Sequence, residues 1–447
     1  MNNCISCICG RLSKDIVLIG KQYPSAIFVK PNDKYTNGLS PTSLNLARCT
    51  NDDCRLVQLS TKYDLDYVFD NYPYDSNLTA SMPGKLKDIV RDAENAVDLQ
   101  PSDVVLDIGG NDGTLLSFIE SKVKARVNID AATEHPCYEN YVHRHTKFSE
   151  EEYSILGLPN PKLIFSVAMF YHLNDPMIFC DEVRSIMSDD TLWVIQMTYL
   201  GTMLRDNIFD NIVHEHAAYY SLYSVEHLLN SVGLYVNEAR VVNSYGGSLR
   251  LFVSKDPNRE IPLPEIKFRT CIINHFDTVG EFIVNPNRKV SYDLEDKKSV
   301  KRFEMSNEVN ELHSLEAFNT RTQLLRKILQ NQICHLVDMH GPIWAFGAST
   351  KGNMILQFLG FNQTQIKCIL DNSIKKIGSM TIGSKIPIED ESMFLHYVSG
   401  YMLILPYYYI DSFVEIIRKK LPKWREIHII VPLPYPKIIT INSNGVV

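Results

Sequence analysis

No stretch of about 18 uncharged apolar residues occurs in this chain, so no membrane-spanning helix is expected. Met1 to Gly10 shows no basic segment followed by an apolar one, which predicts no secretory leader and a cytoplasmic protein. Basic charge is not in excess either. Forty-five Lys and Arg face 52 Asp and Glu, a formal balance of −7, which argues against a chain built to wrap nucleic acid. Fixed-period repeats and low-complexity tracts are absent. With 45% apolar and 22% charged residues, disorder and fibres are excluded. At 447 residues the chain exceeds what one hydrophobic core supports, so two or three domains are expected.

Cysteine, by contrast, is present ten times. In a reducing compartment disulfides are disfavoured, and clustered thiols more often hold a metal. Two close pairs, Cys4 with Cys7 and Cys49 with Cys54, lie in the first 70 residues. That segment is rich in turn formers and carries short strand-like runs at Ile16–Ile19 and Leu56–Leu59. So small a unit buries little apolar surface and needs a staple. Four thiolates in two pairs suit a tetrahedral structural Zn²⁺, with Cys9 able to replace Cys4 or Cys7. Ordinary reduced thiols are the plainer alternative.

Beyond residue 84, helix-like and strand-like runs alternate. Lys85–Leu99 has helical spacing, and Val104–Ile108 reads as a buried strand. Further runs at 125–129, 163–167, 176–187, 192–196 and 225–232 continue the alternation, predicting an α/β domain with a largely parallel sheet. Residues 255–335 are charged and mostly helical in pattern, with a loop-like stretch near Asn285 to Asp296. A second strand–glycine–helix unit opens at Ile343. The expected boundaries are 1–70, 71–255, a helical connector at 256–335, and 336–447.

Three motifs carry chemistry. Asp107-Ile108-Gly109-Gly110-Asn111-Asp112-Gly113 lies between a strand and a helix, where glycines let backbone approach a ligand. Asp130, at the end of the next strand, is placed to accept from ribose hydroxyls. The loop is not the G-x-G-x-x-G of a dinucleotide fold. Its G-x-N-D-G arrangement resembles that of class I S-adenosylmethionine-dependent methyltransferases, which implies a cofactor site of Asp107, Gly109, Gly110, Asn111, Asp112, Gly113 and Asp130. His214-Glu215-His216 lacks the spacing of a zinc-protease H-E-x-x-H. Two histidines flanking a glutamate suit a general base whose pKa and tautomer a carboxylate sets. His172 follows the Leu163–Val167 strand on the side that faces the ligand crevice. Finally, Phe346-Gly347-Ala348-Ser349-Thr350-Lys351-Gly352 looks like a nucleotide loop without being a Walker P-loop, and Asp371 ends the strand after it.

Taken in order, several pieces resemble the deoxysugar C-methyltransferase family. They are the cysteine pairs, Leu56–Leu59, Tyr72-Pro73-Tyr74-Asp75-Ser76, the Gly109–Gly113 loop, the His172 segment, His214–His216 with Tyr219-Tyr220, Gly246-Gly247-Ser248-Leu249-Arg250, and the Gly347 loop. The family installs a methyl branch at C-3 of nucleoside-diphosphate 4-keto-6-deoxysugars. The resemblance implies a zinc-binding N-terminal domain, a class I methyltransferase (Rossmann-like) middle domain, and a Rossmann-like C-terminal domain that helps hold the sugar nucleotide. It makes His216 the general base with Glu215 beside it, and puts His172 and Tyr74 in the same pocket. This chain departs from many relatives at Val213, where they have Tyr, and at Tyr245, where they often have His or Asn.

The chemistry implied is removal of a proton next to a ketone, which needs a base within reach and donors aimed at the enolate oxygen. His216 would take the C-3 proton, and His172 or Tyr74 would donate. Arg250, Ser349 and Lys351 are the candidates for holding the sugar nucleotide, Arg250 as a planar fork on the pyrophosphate and Lys351 as a point charge. No NAD is expected. Tyr407-Tyr408-Tyr409 and Arg418-Lys419-Lys420 read as packed strand ends and a solvated helix face. Methyl transfer to a sugar oxygen or nitrogen, and a non-catalytic sugar-nucleotide-binding relative, are the alternatives. No nucleic-acid or membrane partner is expected, and a monomer or homodimer is.

Overall fold

The alternating apolar runs form three main β-sheets in the computed structural model, which describes residues 3–7, 10–30, 39–63, 82–131, 141–244, 246–264, 294–393, 400–420, 426–442 and 445–446. Tyr74, Tyr245, Cys9 and most of the loop-like stretch near Asn285 lie outside the described residues. Among the described residues no helix is long and apolar enough to cross a membrane.

The N-terminal sheet is antiparallel. It contains β1 (Val17–Gln22), β3 (Thr42–Arg48) and β4 (Val57–Leu59), and is completed by β10 (Ala218–Tyr219) from far along the chain. Tyr219 sits opposite Val57 and Ala218 opposite Gln58. A short strand β2 (Phe28–Val29) pairs instead with β15 (Met380–Thr381). The first 60 residues are therefore hydrogen-bonded to both later parts of the molecule.

The central sheet has the order β11-β12-β9-β8-β5-β6-β7. Its parallel strands are β5 (Val104–Ile108), β6 (Ala125–Asp130), β7 (Val142–His145), β8 (Leu163–Val167) and β9 (Leu192–Thr198). Strand β12 (Ser248–Ser254) runs antiparallel between β9 and β11 (Tyr235–Val242). Strand β5 is buried at every position, as expected for a strand covered on both faces. One cover is helix α1 (Met82–Ala96), whose Leu86, Ile89, Val90 and Ala93 recur at i, i+3, i+4 and i+7 and pack on Val105, Leu163 and Phe165. Burying each of the larger side chains contributes about 1.5–3 kcal/mol.

The C-terminal sheet, order β16-β14-β13-β17-β18-β19-β20, is parallel from β16 (Ile388–Asp390) through β14 (Ile366–Asp371), β13 (Ile343–Phe346) and β17 (Gly400–Ile404) to β18 (Ile427–Val431). It closes with antiparallel β19 (Lys437–Asn442) and β20 (Gly445–Val446). Helices Lys297–Ser306 and Leu312–His340 precede it. The alternation of the sequence thus yields two α/β sheets and one small antiparallel sheet, the fold class expected.

Candidate active site

At the end of β5 the chain turns into a short helix through Gly109 (φ 72°), Asn111 (φ 53°) and Gly113 (φ 78°). A Cβ on Gly110 would lie 2.5 Å from both Asn128 Oδ1 and Asp107 Oδ2, so only glycine fits there. Asn111 N–H donates to Asp130 Oδ2 (2.7 Å), and Thr114 N–H to Asp112 Oδ1 (3.0 Å). Asp107 is 1% exposed, and neither of its carboxylate oxygens has a partner among the described residues; nor does Asn128 Oδ1. Burial, then the charges of Asp130 and Asp112, push the Asp107 carboxyl well above the usual range. Orphaned acceptors beside a glycine turn call for a cationic, donor-bearing ligand. The ammonium and hydroxyl groups of S-adenosylmethionine meet that demand.

His214, Glu215 and His216 lie in a turn between a 3-10 turn at Phe209–Asn211 and strand β10. His216 Nδ1 donates to the Asn211 carbonyl at 2.8 Å, and Tyr219 hydroxyl donates to the same oxygen at 3.2 Å. A carbonyl has no proton to give, so Nδ1 carries the hydrogen and Nε2 of the neutral ring is the acceptor. The expected carboxylate control of the tautomer is corrected by this geometry. Glu215 Oε2 is buried with no partner among the described residues, and its carboxyl is pushed up to about 7 by burial. His214 faces the N-terminal sheet instead, sharing a hydrogen bond with Thr42 Oγ1 (2.9 Å) and an edge contact with Tyr63 (4.8 Å).

His172, in the 3-10 turn Phe170–His172 after β8, stacks on His216 with ring centres 5.5 Å apart. Tyr171 meets His216 edge-on at 4.3 Å. Burial drops the His172 imidazole to about 3, and His216 is held well below the usual value by burial first, then by His172 and Lys351. Both rings are therefore neutral, the state a base requires. A small cavity beside them is lined by Lys85, Val167, Ala168, Tyr171, Gln196 and Ser244.

The C-terminal sheet contributes directly. Asp210, fully buried, accepts from Tyr407 hydroxyl (2.9 Å) and Tyr408 hydroxyl (3.1 and 3.2 Å). Lys351 Nζ lies 3.2 Å from Tyr408 hydroxyl and 4.4 Å over its ring, and burial lowers its ammonium to about 8 while Asp210 opposes the shift. Tyr407 and Tyr408 are thus not mere packed strand ends; their hydroxyls join the site. Their sequence signal was the tyrosine run directly after a parallel strand. Ser349 Oγ accepts from Gly352 N–H (3.0 Å) as the cap of helix Thr350–Leu359, and Asp371 Oδ2 accepts from Ala348 N–H (2.7 Å).

Arg250 does not take the pyrophosphate role expected of it. On β12 it is 2% exposed, donating to Gln196 Oε1 (2.8 Å), to Asp88 Oδ2 (3.0 Å) and to Asp92. Its fork is already filled by two carboxylates and an amide, and it ties helix α1 to the sheet.

The four predicted cysteines converge and are buried. Cys4, Cys49 and Cys54 place their sulfurs within 4.8 Å of one another, and Cys7 lies within that distance of Cys54 and His227. Cys4 and Cys54 sulfurs are 3.7 Å apart. Hydrogen bonds from Cys4, then Cys54, draw the Cys49 thiol below its usual value. A Cβ on Gly10 would press on the Cys49 sulfur, so the loop admits only glycine there. Four thiols, with the His227 imidazole near two of them, offer the sulfur and nitrogen donors of a tetrahedral zinc centre.

Residues 78–239 match a family model described as a methyltransferase domain, and residues 280–434 match the C-methyltransferase C-terminal domain. The C-methyltransferase NovU of Streptomyces niveus is 24% identical over 398 residues, 88% of this chain and 86% of that protein. Among solved structures, the N-methyltransferase NodS from Bradyrhizobium japonicum is 13% identical with a TM-score of 0.30, covering 38% of this chain and 94% of its own. A SAM-dependent methyltransferase from Anabaena variabilis is 11% identical with a TM-score of 0.32, covering 44% and 99%. The two family matches fall in order on the central sheet and on the C-terminal part of the molecule, and the chain is an S-adenosylmethionine-dependent C-methyltransferase.

Proposed function

We propose that the methyl acceptor is C-3 of a nucleoside-diphosphate 4-keto-6-deoxysugar, and that His216 removes the proton from that carbon. The observation that carries this reading is the bond from His216 Nδ1 to the Asn211 carbonyl, which leaves Nε2 as a proton acceptor in a buried, neutral ring. A proton next to a ketone leaves only if the developing oxyanion is stabilised. His172, stacked on His216, is one group able to donate to the 4-oxygen; Tyr74 is the second, on the family resemblance. Lys351 offers the cation for a diphosphate, in place of Arg250. Asp107, the Gly109–Gly113 loop and Asp130 would hold S-adenosylmethionine, which when bound supplies an electrophilic methyl group. Fixing both reactants in one crevice supplies much of the rate gain, because their translational entropy is lost on binding rather than in the reaction.

The four cysteines would hold a structural Zn²⁺. It cross-links a segment with little core of its own and takes no part in proton transfer.

Incubating a 4-keto-6-deoxysugar nucleotide with the enzyme in D₂O, without methyl donor, tests the carbon chemistry. Wild-type protein should exchange the C-3 proton, and His216→Gln should not. Absence of His216-dependent exchange sinks the reading in favour of transfer to a sugar oxygen or nitrogen, which needs no such step.

A further inference from the structure

The segment that feeds the histidine turn is held by groups far along the chain. Arg321, on the helix Leu312–His340, donates to Asn207 Oδ1 (2.7 Å) and to the Leu204 carbonyl (2.7 Å). Phe209 packs its ring on Phe358, 4.9 Å away. Asp210 then accepts from the two tyrosine hydroxyls, whose oxygens lie 2.6 Å from each other and whose rings are 4.1 Å apart. Gly246, at φ 86°, makes room: a Cβ there would come within 2.7 Å of Tyr408 Cε1. The next residue after Asp210 is Asn211, whose carbonyl receives His216 Nδ1.

We propose that Tyr407 and Tyr408 are positioning residues for His216: by clamping Asp210 they hold the Asn211 carbonyl that decides which ring nitrogen carries the proton. The inference rests on the reading that His216 is the base, and adds that docking of the C-terminal sheet prepares it. The physical reason is directional. Asp210 and Asn211 share one tight 3-10 turn, so a shift of the carboxylate moves the neighbouring carbonyl. A hydrogen bond of 2.8 Å weakens steeply once its acceptor swings out of line. Without that acceptor no other bond among the described residues selects the Nδ1–H tautomer, and the ring also adopts the form whose Nε2 is protonated and useless as a base.

The test uses full-length enzyme labelled with ¹⁵N-histidine, the His216 signals being assigned by their loss in His216→Gln. In the wild type, Nδ1 should be protonated and Nε2 should show the shift of a bare ring nitrogen. Tyr407→Phe with Tyr408→Phe keeps both rings and removes both hydroxyls. Its His216 should populate both tautomers, and C-3 exchange at saturating substrate should fall with the fraction that keeps a bare Nε2, by about two- to fivefold, with KM changed less than about threefold. Asp210→Asn, which keeps the shape of the turn, is the second variant should the double variant fail to fold, and should shift the tautomers the same way. A wild-type tautomer in a folded variant overturns the proposal, as does a raised KM with exchange unchanged at saturation, which would make the tyrosines substrate contacts. A changed tautomer with undiminished exchange leaves the clamp standing and sinks His216 as the base.

Discussion

The rings of His172 and His216 lie 5.5 Å apart and within 27° of parallel, although one follows β8 and the other precedes β10. Two imidazolium rings could not stack this way in a buried site, because like charges in low dielectric repel. The pair is stable as a neutral pair, and the depressed pKa values of both rings express that.

Stability should therefore depend on pH in opposite directions for neighbouring groups. His172 stays neutral down to about 3, whereas the unfolded chain protonates it near 6.5, so it favours unfolding as pH falls through that window. Glu215 keeps its proton up to about 7, whereas the unfolded chain ionises near 4.5. Its contribution is fully present below 4.5 and is lost as pH rises through 7. Urea melts at pH 5 and pH 8 should show Glu215→Gln losing less stability between the two than wild type does, by roughly 3 kcal/mol. An identical loss in both proteins would show that Glu215 is not protonated in the fold.

Arg250→Met should destabilise the fold by about 3–5 kcal/mol, because Asp92 would be left buried with one guanidinium partner fewer. Substrate KM should stay close to wild type in the protein that remains folded. Lys351→Met should do the reverse, raising KM for the sugar nucleotide. A selective rise of KM in the Arg250 variant would restore its role in phosphate binding.

Asp107→Asn should separate cofactor affinity from stability. The wild-type carboxylate has no partner for either oxygen among the described residues, so removing its charge should leave melting of the cofactor-free protein unchanged or raised. S-adenosylmethionine should bind about tenfold more weakly by calorimetry, from loss of a charge-assisted hydrogen bond. Equal affinity in the two proteins would remove Asp107 from the binding site.

Elemental analysis of purified enzyme should find about one zinc per chain, tetrahedrally held by the thiols. Cys49→Ser should lose it and melt at lower temperature, and chelation of the wild type should reproduce the shift. Full zinc retention by the variant would show that Cys49 is not a needed ligand.

Much of the local structure was legible in the sequence. Val104–Ile108 is an unbroken apolar strand apart from Asp107, and the glycines after it mark the turn because they accept positive φ and close packing at least cost. The cysteine pairs were visible by spacing, and the structure brings them together. Tyr407 and Tyr408 look like packing residues in the sequence, because nothing near them in the chain names Asp210, 197 and 198 residues away, as a partner. Arg250 looked available for phosphate for the same reason: Asp92 lies 158 residues before it.

Periodicity, glycine placement and residue chemistry act over a few residues, so the amino-acid order alone determined the α/β class, the cofactor-type loop and the pairs of thiols and histidines. Which nitrogen of His216 is bare, which carboxylates already occupy Arg250 and what supports the histidine turn were decided only by tertiary structure. Those properties depend on hydrogen bonds and ion pairs between side chains that meet across sheets, and a burial that no local pattern encodes sets their strength.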